Sequence, residues 1–334
     1  MSKIPFNKEK AYAVVVGIGN REVDSPAMGT TASDAERIGK ELIARTGMLP
    51  ANVQYLLNND ATAANLLARL DALAAATKVS PAEMVIVYFS GHGCVKNGKY
   101  YLVARDTVNT DIENTGIAGS VFVDKLQAIQ TDKMLILLDC CHSGGIYDPV
   151  DVPFDKELLL SKANRVVISA SHSSEVSYLS RPLSIFTYAL VEGLAGKYFE
   201  DGDTEVTLFG LAMYVRERVY PLSENKQRPQ LNILQNAQTS DFSLARYPNG
   251  EPRPAAFPRD FSLLNGEGKD INTGMPIVKD AEYRQQYAWM ISGNDNVVVA
   301  NVSDSTITIN KGNTTNQTAD KIYNIDKIDT ANFS

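Results

Sequence analysis

Long apolar runs are missing from this chain of 334 residues. The longest, residues 12–18 and 134–138, fall far below the roughly 20 apolar residues that a membrane-spanning helix needs. The N-terminus is polar and contains lysine, and only one short apolar run follows it, which argues against a signal peptide. We therefore expect a cytoplasmic protein with no membrane partner.

Clusters of lysine and arginine are missing as well. The 32 basic residues are outnumbered by 39 acidic ones, for a net charge of −7. Proteins that bind nucleic acids neutralise phosphates with a basic patch or stripe. We therefore expect no nucleic-acid partner.

Cysteine and histidine are scarce, with three of each. Three cysteines cannot form a disulfide framework, and the absence of CxxC and HxxxH spacings argues against a structural zinc site. All three cysteines and two of the histidines nevertheless fall within residues 92–94 and 140–142. This clustering is the most informative feature of the composition.

Strand-like and helix-like patterns alternate along the first 240 residues. The predicted strands are residues 12–18, 53–57, 84–89, 100–104, 134–138 and 165–170, with a hairpin turn at 97–98. The predicted helices are residues 33–46, capped by Ser33, 61–78, 121–129, 185–198 and 208–219. Apolar strands that alternate with helices predict an α/β fold with a mainly parallel central sheet, flanked by helices on both faces.

The end of the chain has a different composition. Four prolines within residues 248–258 predict a linker. We divide the chain into a domain at 1–245, a Pro-rich linker at 246–262 and a small β-rich C-terminal segment at 263–334. Residues 296–310 alternate and predict strands, too few to hold a core of their own, so we expect the segment to dock on something.

Two motifs lie at the carboxyl ends of predicted strands, where parallel sheets place their working sites. They are Ser-Gly-His-Gly at 90–93 and Asp-Cys-Cys-His-Ser-Gly-Gly at 139–145, and we expect both to form turns. A cysteine nucleophile needs a base, an exposed position and donors for the oxyanion. If the two strands are neighbours, His92 and Cys141 come together. Cys140 is expected to point away from Cys141 and to be inert.

The segments YFSGHG and LLDCCHSGG resemble the caspase-like cysteine peptidases, and among them the metacaspases. Weaker similarity covers about residues 8–240, and the separation of His92 and Cys141 is close to the roughly 50 residues found in caspases. The resemblance implies a caspase-like α/β/α sandwich and a cysteine endopeptidase with a Cys-His dyad. It makes Cys141 the nucleophile and His92 the general base, with the backbone N–H groups of Gly93 and Cys141 as the oxyanion hole.

The resemblance also implies a substrate class. Metacaspases hold an arginine or lysine at P1, the substrate residue before the cleaved bond, with acidic residues. Asp34 and Asp139 match these residues, and Ser90 matches a third pocket position. Carboxylates suit a guanidinium or an ammonium, so we expect protein substrates cleaved after Arg or Lys. Three alternatives stay open: Asp at P1, Asp139 as a turn cap, and Asp34 as an early-turn helix acid.

Many metacaspases bind calcium with aspartates around the active site. Asp106 and Asp148 fall where two of these would lie, but Ala118-Gly119-Ser120 replaces an expected acidic pair. Two carboxylates are fewer than a hard cation needs, which argues against calcium dependence. The peptidase chemistry requires no cofactor.

Regulation is the last expectation. Lys156 and Lys162 lie in an acidic stretch, where self-cleavage would follow if basic P1 residues are accepted. The resemblance suggests a regulated protease of a bacterial cell-death or antiphage response, and the C-terminal segment suggests a docking site for an activating partner protein. The alternative is a catalytically silent scaffold with the same fold.

Overall fold

A computed structural model of the chain provides the structure. It describes residues 6–19, 30–142, 165–170, 180–181, 183–199, 203–223, 225–232 and 241–247, and the backbone of five strands beyond residue 261. The strands up to residue 263 are β1 (Ala11–Gly17), β2 (Val53–Leu57), β3 (Met84–Lys96), β4 (Lys99–Val103), β5 (Ile117–Ala118), β6 (Met134–His142), β7 (Arg165–Ser169), β8 (Ser180–Arg181), β9 (Glu205–Thr207), β10 (Gln230–Asn232), β11 (Ser243–Arg246) and β12 (Ser262–Leu263). The helices are α1 (Thr30–Glu41), α2 (Ala63–Val79), α3 (Ile112–Thr115), α4 (Gly119–Ala128), α5 (Ile185–Leu194) and α6 (Leu208–Leu222).

Eight of these strands form one mixed, mostly parallel sheet. Its order is β10-β7-β6-β3-β1-β2, and β4 and β5 extend from β3. The five central strands from β7 to β2 run parallel, while β10, β4 and β5 are antiparallel to their neighbours. The predicted α/β fold with a mainly parallel sheet is confirmed.

Helices cover both faces of this sheet. Side chains alternate between the faces of a strand, so Val15 of β1 joins one core while Val14 and Val16 join the other. The first core is completed by α1, α5 and α6, and the second by α2 and α4. This three-layer arrangement explains why the sheet strands are apolar on both sides.

Most element boundaries agree with the sequence, and three differences matter. The strand Val53–Leu57 is as predicted, and a β3–β4 hairpin turns at Asn97 and Gly98, both with positive φ. The first predicted helix begins at Thr30, so Ser33 is inside it rather than its cap, and its last residues, Leu42–Thr46, are π-helical.

The other two differences are corrections at the motifs. Residues 90–93 do not form the expected turn but continue β3. Strand β6 extends beyond its predicted end at 138 to His142, and residues 143–145 of the second expected turn lie outside the described residues. One edge of β3 pairs with β1 up to Ser90 and with β4 from His92 onward. The other edge pairs with β6 as far as Gly93. The backbone around His92 therefore has strand partners on both sides and stays extended.

The C-terminal residues form a separate four-stranded antiparallel sheet. Its strands are β13 (Trp289–Gly293), β14 (Asn296–Ser303), β15 (Thr306–Lys311) and β16 (Thr315–Ala319), joined in sequence order. The strands predicted within residues 296–310 are therefore present. The short strand β12 pairs with β8, and the division of the chain into domain, linker and segment stays a prediction.

The helices of the described part of the chain are all too short or too polar to span a bilayer.

Candidate functional site

The candidate site lies where β3 and β6 run side by side at the centre of the sheet. Their parallel register sets Ser90 opposite Asp139 and His92 opposite Cys141. Neighbouring strands are about 4.8 Å apart, so residues 49 positions apart in sequence become direct neighbours. The expectation that the two motif strands adjoin each other is thus met, and the imidazole of His92 is half-buried.

The two proposed oxyanion donors belong to the same pair of strands. Gly93 lies opposite His142 in the register, one step beyond the His92–Cys141 pair. The role of the Gly93 and Cys141 backbone N–H groups in holding an oxyanion stays a prediction. The structure describes the backbone of residues 141 and 142, while Ser143, Gly144 and Gly145 of the motif lie outside the described residues.

Asp34 reaches the site from the second turn of α1 and is fully buried. Its Oδ1 accepts the backbone N–H of Ser184 at 2.8 Å, and its Oδ2 accepts the Ser90 hydroxyl at 3.3 Å. Helix α1 comes so close to β1 that a Cβ on Gly17 would overlap the carbonyl oxygen of Thr31. The absence of a side chain at Gly17 therefore lets α1 bring Asp34 to the end of the sheet.

Asp139 lies on β6 and keeps only 5% of its surface exposed. Its Oδ2 lies 3.0 Å from the hydroxyl of Thr187 and 3.3 Å from the hydroxyl of Tyr88, and it also contacts the hydroxyl of Ser184. The structure therefore brings Asp34, Ser90 and Asp139 into one buried polar group directly before the His92–Cys141 pair.

Three members of this group were not predicted from sequence: Tyr88, Ser184 and Thr187. Ser184 caps α5, because its hydroxyl accepts the N–H of Thr187 at 3.0 Å. It also touches both acids, through its N–H to Asp34 and its hydroxyl to Asp139. A serine directly before the apolar run of residues 185–191 is a cap signal that the sequence does carry. Its contact with two distant acids has no such signal.

The electrostatics of the group follow from its burial. Burial raises the pKa of Asp34 well above its ordinary value of 3.8, and the negative charge of Asp139 raises it further. Burial likewise raises the pKa of Tyr88, and the charges of Asp139 and Asp34 add to this shift. Two carboxyl groups in one buried site disfavour each other's ionised form.

The second face of the sheet carries Cys140, which is half-buried against the core that includes α2 and α4. Its Sγ lies 3.2 Å from the hydroxyl of Tyr100. Cys140 thus packs on the face opposite to Asp139, and its expected orientation away from Cys141 stays a prediction. Cys94 is buried in a small cluster with Tyr101 and Val103.

Of the two weak calcium candidates, the structure describes only Asp106. Asp106 accepts the N–H of Ala63, the first residue of α2, at 2.8 Å and so stabilises the start of that helix. Asp148 lies outside the described residues, as do the self-cleavage candidates Lys156 and Lys162. The described part of the chain holds no group of three or more metal-binding side chains.

Replacing Asp34 with asparagine tests the buried acid pair. Because its pKa is raised by folding, Asp34 contributes fully to stability below the unfolded value and loses that contribution as the pH rises through the folded value. Between pH 5 and pH 8, we expect the free energy of unfolding to fall less for Asp34→Asn than for the wild type, by about 1 kcal/mol or more. Urea unfolding at each pH measures this.

The matched control is Asp71→Asn, since Asp71 is an exposed acid paired with Lys125. Its unfolding free energy should follow the wild-type pH dependence. Parallel curves for Asp34→Asn and the wild type would contradict the raised pKa.

The two glycines that flank His92 differ in the space around them. A Cβ on Gly93 would overlap the Tyr100 hydroxyl and lie 2.7 Å from its Cζ, whereas at Gly91 the nearest atom is Cε1 of Phe89 at 3.2 Å. We expect Gly93→Ala to destabilise the fold by about 1–3 kcal/mol and Gly91→Ala by less than about 1 kcal/mol. Adding Tyr100→Leu to Gly93→Ala should recover part of the loss.

Urea denaturation of the four proteins gives the free energies of unfolding. Equal losses for Gly91→Ala and Gly93→Ala would show that crowding by Tyr100 is not the reason for the glycine.

Comparisons with known proteins identify the family of the chain. The caspase domain model matches residues 10–239. Among solved structures, a protein from Geobacter sulfurreducens is 14% identical with a TM-score of 0.45, over 67% of this chain and 92% of its own. The Drosophila initiator caspase Dronc is 15% identical with a TM-score of 0.43, over 70% of this chain and 82% of its own. No curated protein sequence matches. Because the caspase domain model spans more than half of the 334 residues, the chain belongs to the caspase domain family of cysteine peptidases.

Proposed function

We propose that the protein is a cysteine endopeptidase that cleaves proteins after Arg or Lys. The observation that carries the proposal is the buried acid pair Asp34 and Asp139, which adjoins the His92–Cys141 pair on the same strands. A caspase domain supports peptidase chemistry in general, and the acids supply the specificity.

The chemistry follows from the paired positions. The imidazole of His92 takes the thiol proton, and the thiolate of Cys141 attacks the scissile carbonyl carbon. Backbone N–H groups of Gly93 and Cys141 hold the oxyanion. His92 then protonates the departing amine as the C–N bond breaks. Water hydrolyses the thioester, with His92 accepting its proton, and the free thiol returns. No metal or cofactor takes part in these steps.

The geometry of the strands favours a long P1 side chain. Asp139 precedes Cys141 by two residues, and Ser90 precedes His92 by two, a distance of about 6.6 Å along a parallel strand. A lysine or arginine covers this distance and brings its cation to the acids. An aspartate is shorter and would meet charge of its own sign. The acid pair therefore speaks against the alternative of Asp at P1.

Of the two acids, Asp139 is the one that meets the substrate. It retains 5% exposure, whereas Asp34 has none and lies behind Ser90. The cation contacts Asp139 first, and its charge then favours ionisation of Asp34. Truncating one partner of a buried charge pair costs 2–5 kcal/mol, so Asp139 carries most of the specificity.

The wider role rests on the resemblance to metacaspases rather than on the site. We propose a regulated protease of a cell-death or antiphage response, with substrates limited by the basic P1 residue. The C-terminal segment at 263–334 would receive an activating partner protein. Calcium is not required in this proposal, since Asp106 stabilises the start of α2.

Cleavage of fluorogenic peptides with Arg, Lys or Asp at P1 tests the proposal. We expect cleavage after Arg and Lys only, in calcium and in chelator alike. Asp139→Asn should lower kcat/KM for these peptides by at least about 30-fold, corresponding to about 2 kcal/mol. Cys141→Ala should abolish cleavage, while the matched control Cys140→Ala should retain it, because Cys140 packs on the other face of the sheet.

Two outcomes would contradict the proposal. Cleavage after Asp would overturn the basic specificity. Silence on every peptide, together with failure of a thiol-reactive probe to label Cys141 in the folded protein, would favour the scaffold alternative.

A further inference from the structure

We propose that Tyr88, Ser184 and Thr187, together the hydroxyl cluster, are positioning residues that keep Asp139 as the charged carboxylate for the P1 cation. The inference rests on the proposed function and deepens it, because it says how two adjacent acids share one site. All three residues are buried and lie on β3 and at the start of α5.

The protons of the cluster can be assigned from its distances. Tyr88 and Thr187 have one hydroxyl proton each but three contacts to share: 2.6 Å with each other, 3.0 Å from Thr187 to Asp139 and 3.3 Å from Tyr88 to Asp139. The two shortest contacts are both made when Tyr88 donates to Thr187 and Thr187 donates to Asp139 Oδ2. The hydrogen bond from Tyr88 then polarises the Thr187 hydroxyl and strengthens its hydrogen bond to Asp139.

Ser184 completes the arrangement from the helix cap. Its hydroxyl donates to the same Asp139 oxygen, and its N–H donates to Asp34. Asp139 Oδ2 thus accepts two hydroxyl protons. It also interacts favourably with the partial positive charge at the start of α5. Donors of this kind stabilise the ionised form of a carboxylate.

The two acids therefore have different charges in the free protein. Within the part of the chain that the structure describes, the titratable groups that face the cluster are Asp34 from α1, Tyr88 and His92 from β3, and Asp139 from β6. The one acid of α5, Glu192, is bound to Arg218 and Tyr214 of α6. Burial and the charge on Asp139 raise the pKa of Asp34, which agrees with a charged Asp139 beside a protonated Asp34. Without the hydroxyl donors, both acids would be neutral and the attraction for a cation would be lost.

The test measures binding without catalysis, in the full chain carrying Cys141→Ala. The probes are N-acetyl-arginine amide and its neutral isostere N-acetyl-citrulline amide, titrated by calorimetry from pH 6 to 8. We expect the arginine probe to bind and the citrulline probe to bind at least tenfold more weakly.

Substitutions at Thr187 then distinguish the role of the hydroxyl cluster from that of the acid pair. Thr187→Val keeps the volume but removes the hydroxyl, and we expect it to weaken the arginine probe about tenfold and to move the onset of binding to higher pH. Thr187→Ser should restore affinity to within about threefold. Tyr88→Phe, a second variant that keeps the ring, should shift the onset in the same direction by a smaller amount.

The matched control is Thr77→Val, since Thr77 is equally buried but bonds to Leu73 of its own helix. It should leave probe binding unchanged, and circular dichroism confirms that each variant is folded. Equal affinity of Thr187→Val and its parent would overturn the role of the cluster and leave the acidic P1 pocket standing. Absent or equal binding of the two probes to the parent protein would overturn the pocket and the cluster together.

Discussion

The parallel pairing of β3 with β6 is the constraint on which the site depends. Its register sets His92 opposite Cys141 and Ser90 opposite Asp139. A shift by one residue would turn every side chain of one strand to the other face, so the register must be fixed by the core. The apolar residues 84–89 and 134–138, buried on both faces, provide that fixation. The core of the sheet therefore determines the chemistry at its end.

The same strand geometry links specificity to reaction. Side chains an even number of residues apart on a strand share a face, so an acid two residues from the His92–Cys141 pair lies on the same face as that pair. Asp139 occupies such a position, and α1 adds Asp34 across Ser90. In the proposed function, one rigid pair of strands thus holds both the P1 group and the scissile bond. Precise placement of this kind is harder to achieve with loops.

How far the sequence predicts this site depends on the distance over which each contact acts. His92 and Cys141 follow from apolar runs that end in polar motifs, whereas Asp34 and Asp139 follow from resemblance. The extension of β3 through His92 was missed, because glycines suggest a turn while the hairpin at Asn97-Gly98 supplies new strand partners. The role of Ser184 was missed too. Its cap signal is local, but its bonds to Asp34 and Asp139 span 150 and 45 residues.

Burying two acids side by side destabilises their ionised forms in the free protein. In the proposed function, this destabilisation has a consequence for substrate binding. A carboxyl group whose folded pKa is raised weakens the fold as the pH rises, so Asp34 is not retained for stability. A bound cation removes the cost by stabilising the ionised form of both acids. Because linkage is reciprocal, a basic P1 residue that draws a charge onto Asp34 must also stabilise the surrounding fold. Because Ser184 caps α5 and contacts both acids, a bound substrate side chain would also stabilise the start of this helix. Under the proposed specificity, the arrangement favours a P1 cation over a neutral side chain of equal size, because only the cation reduces the repulsion between the acids.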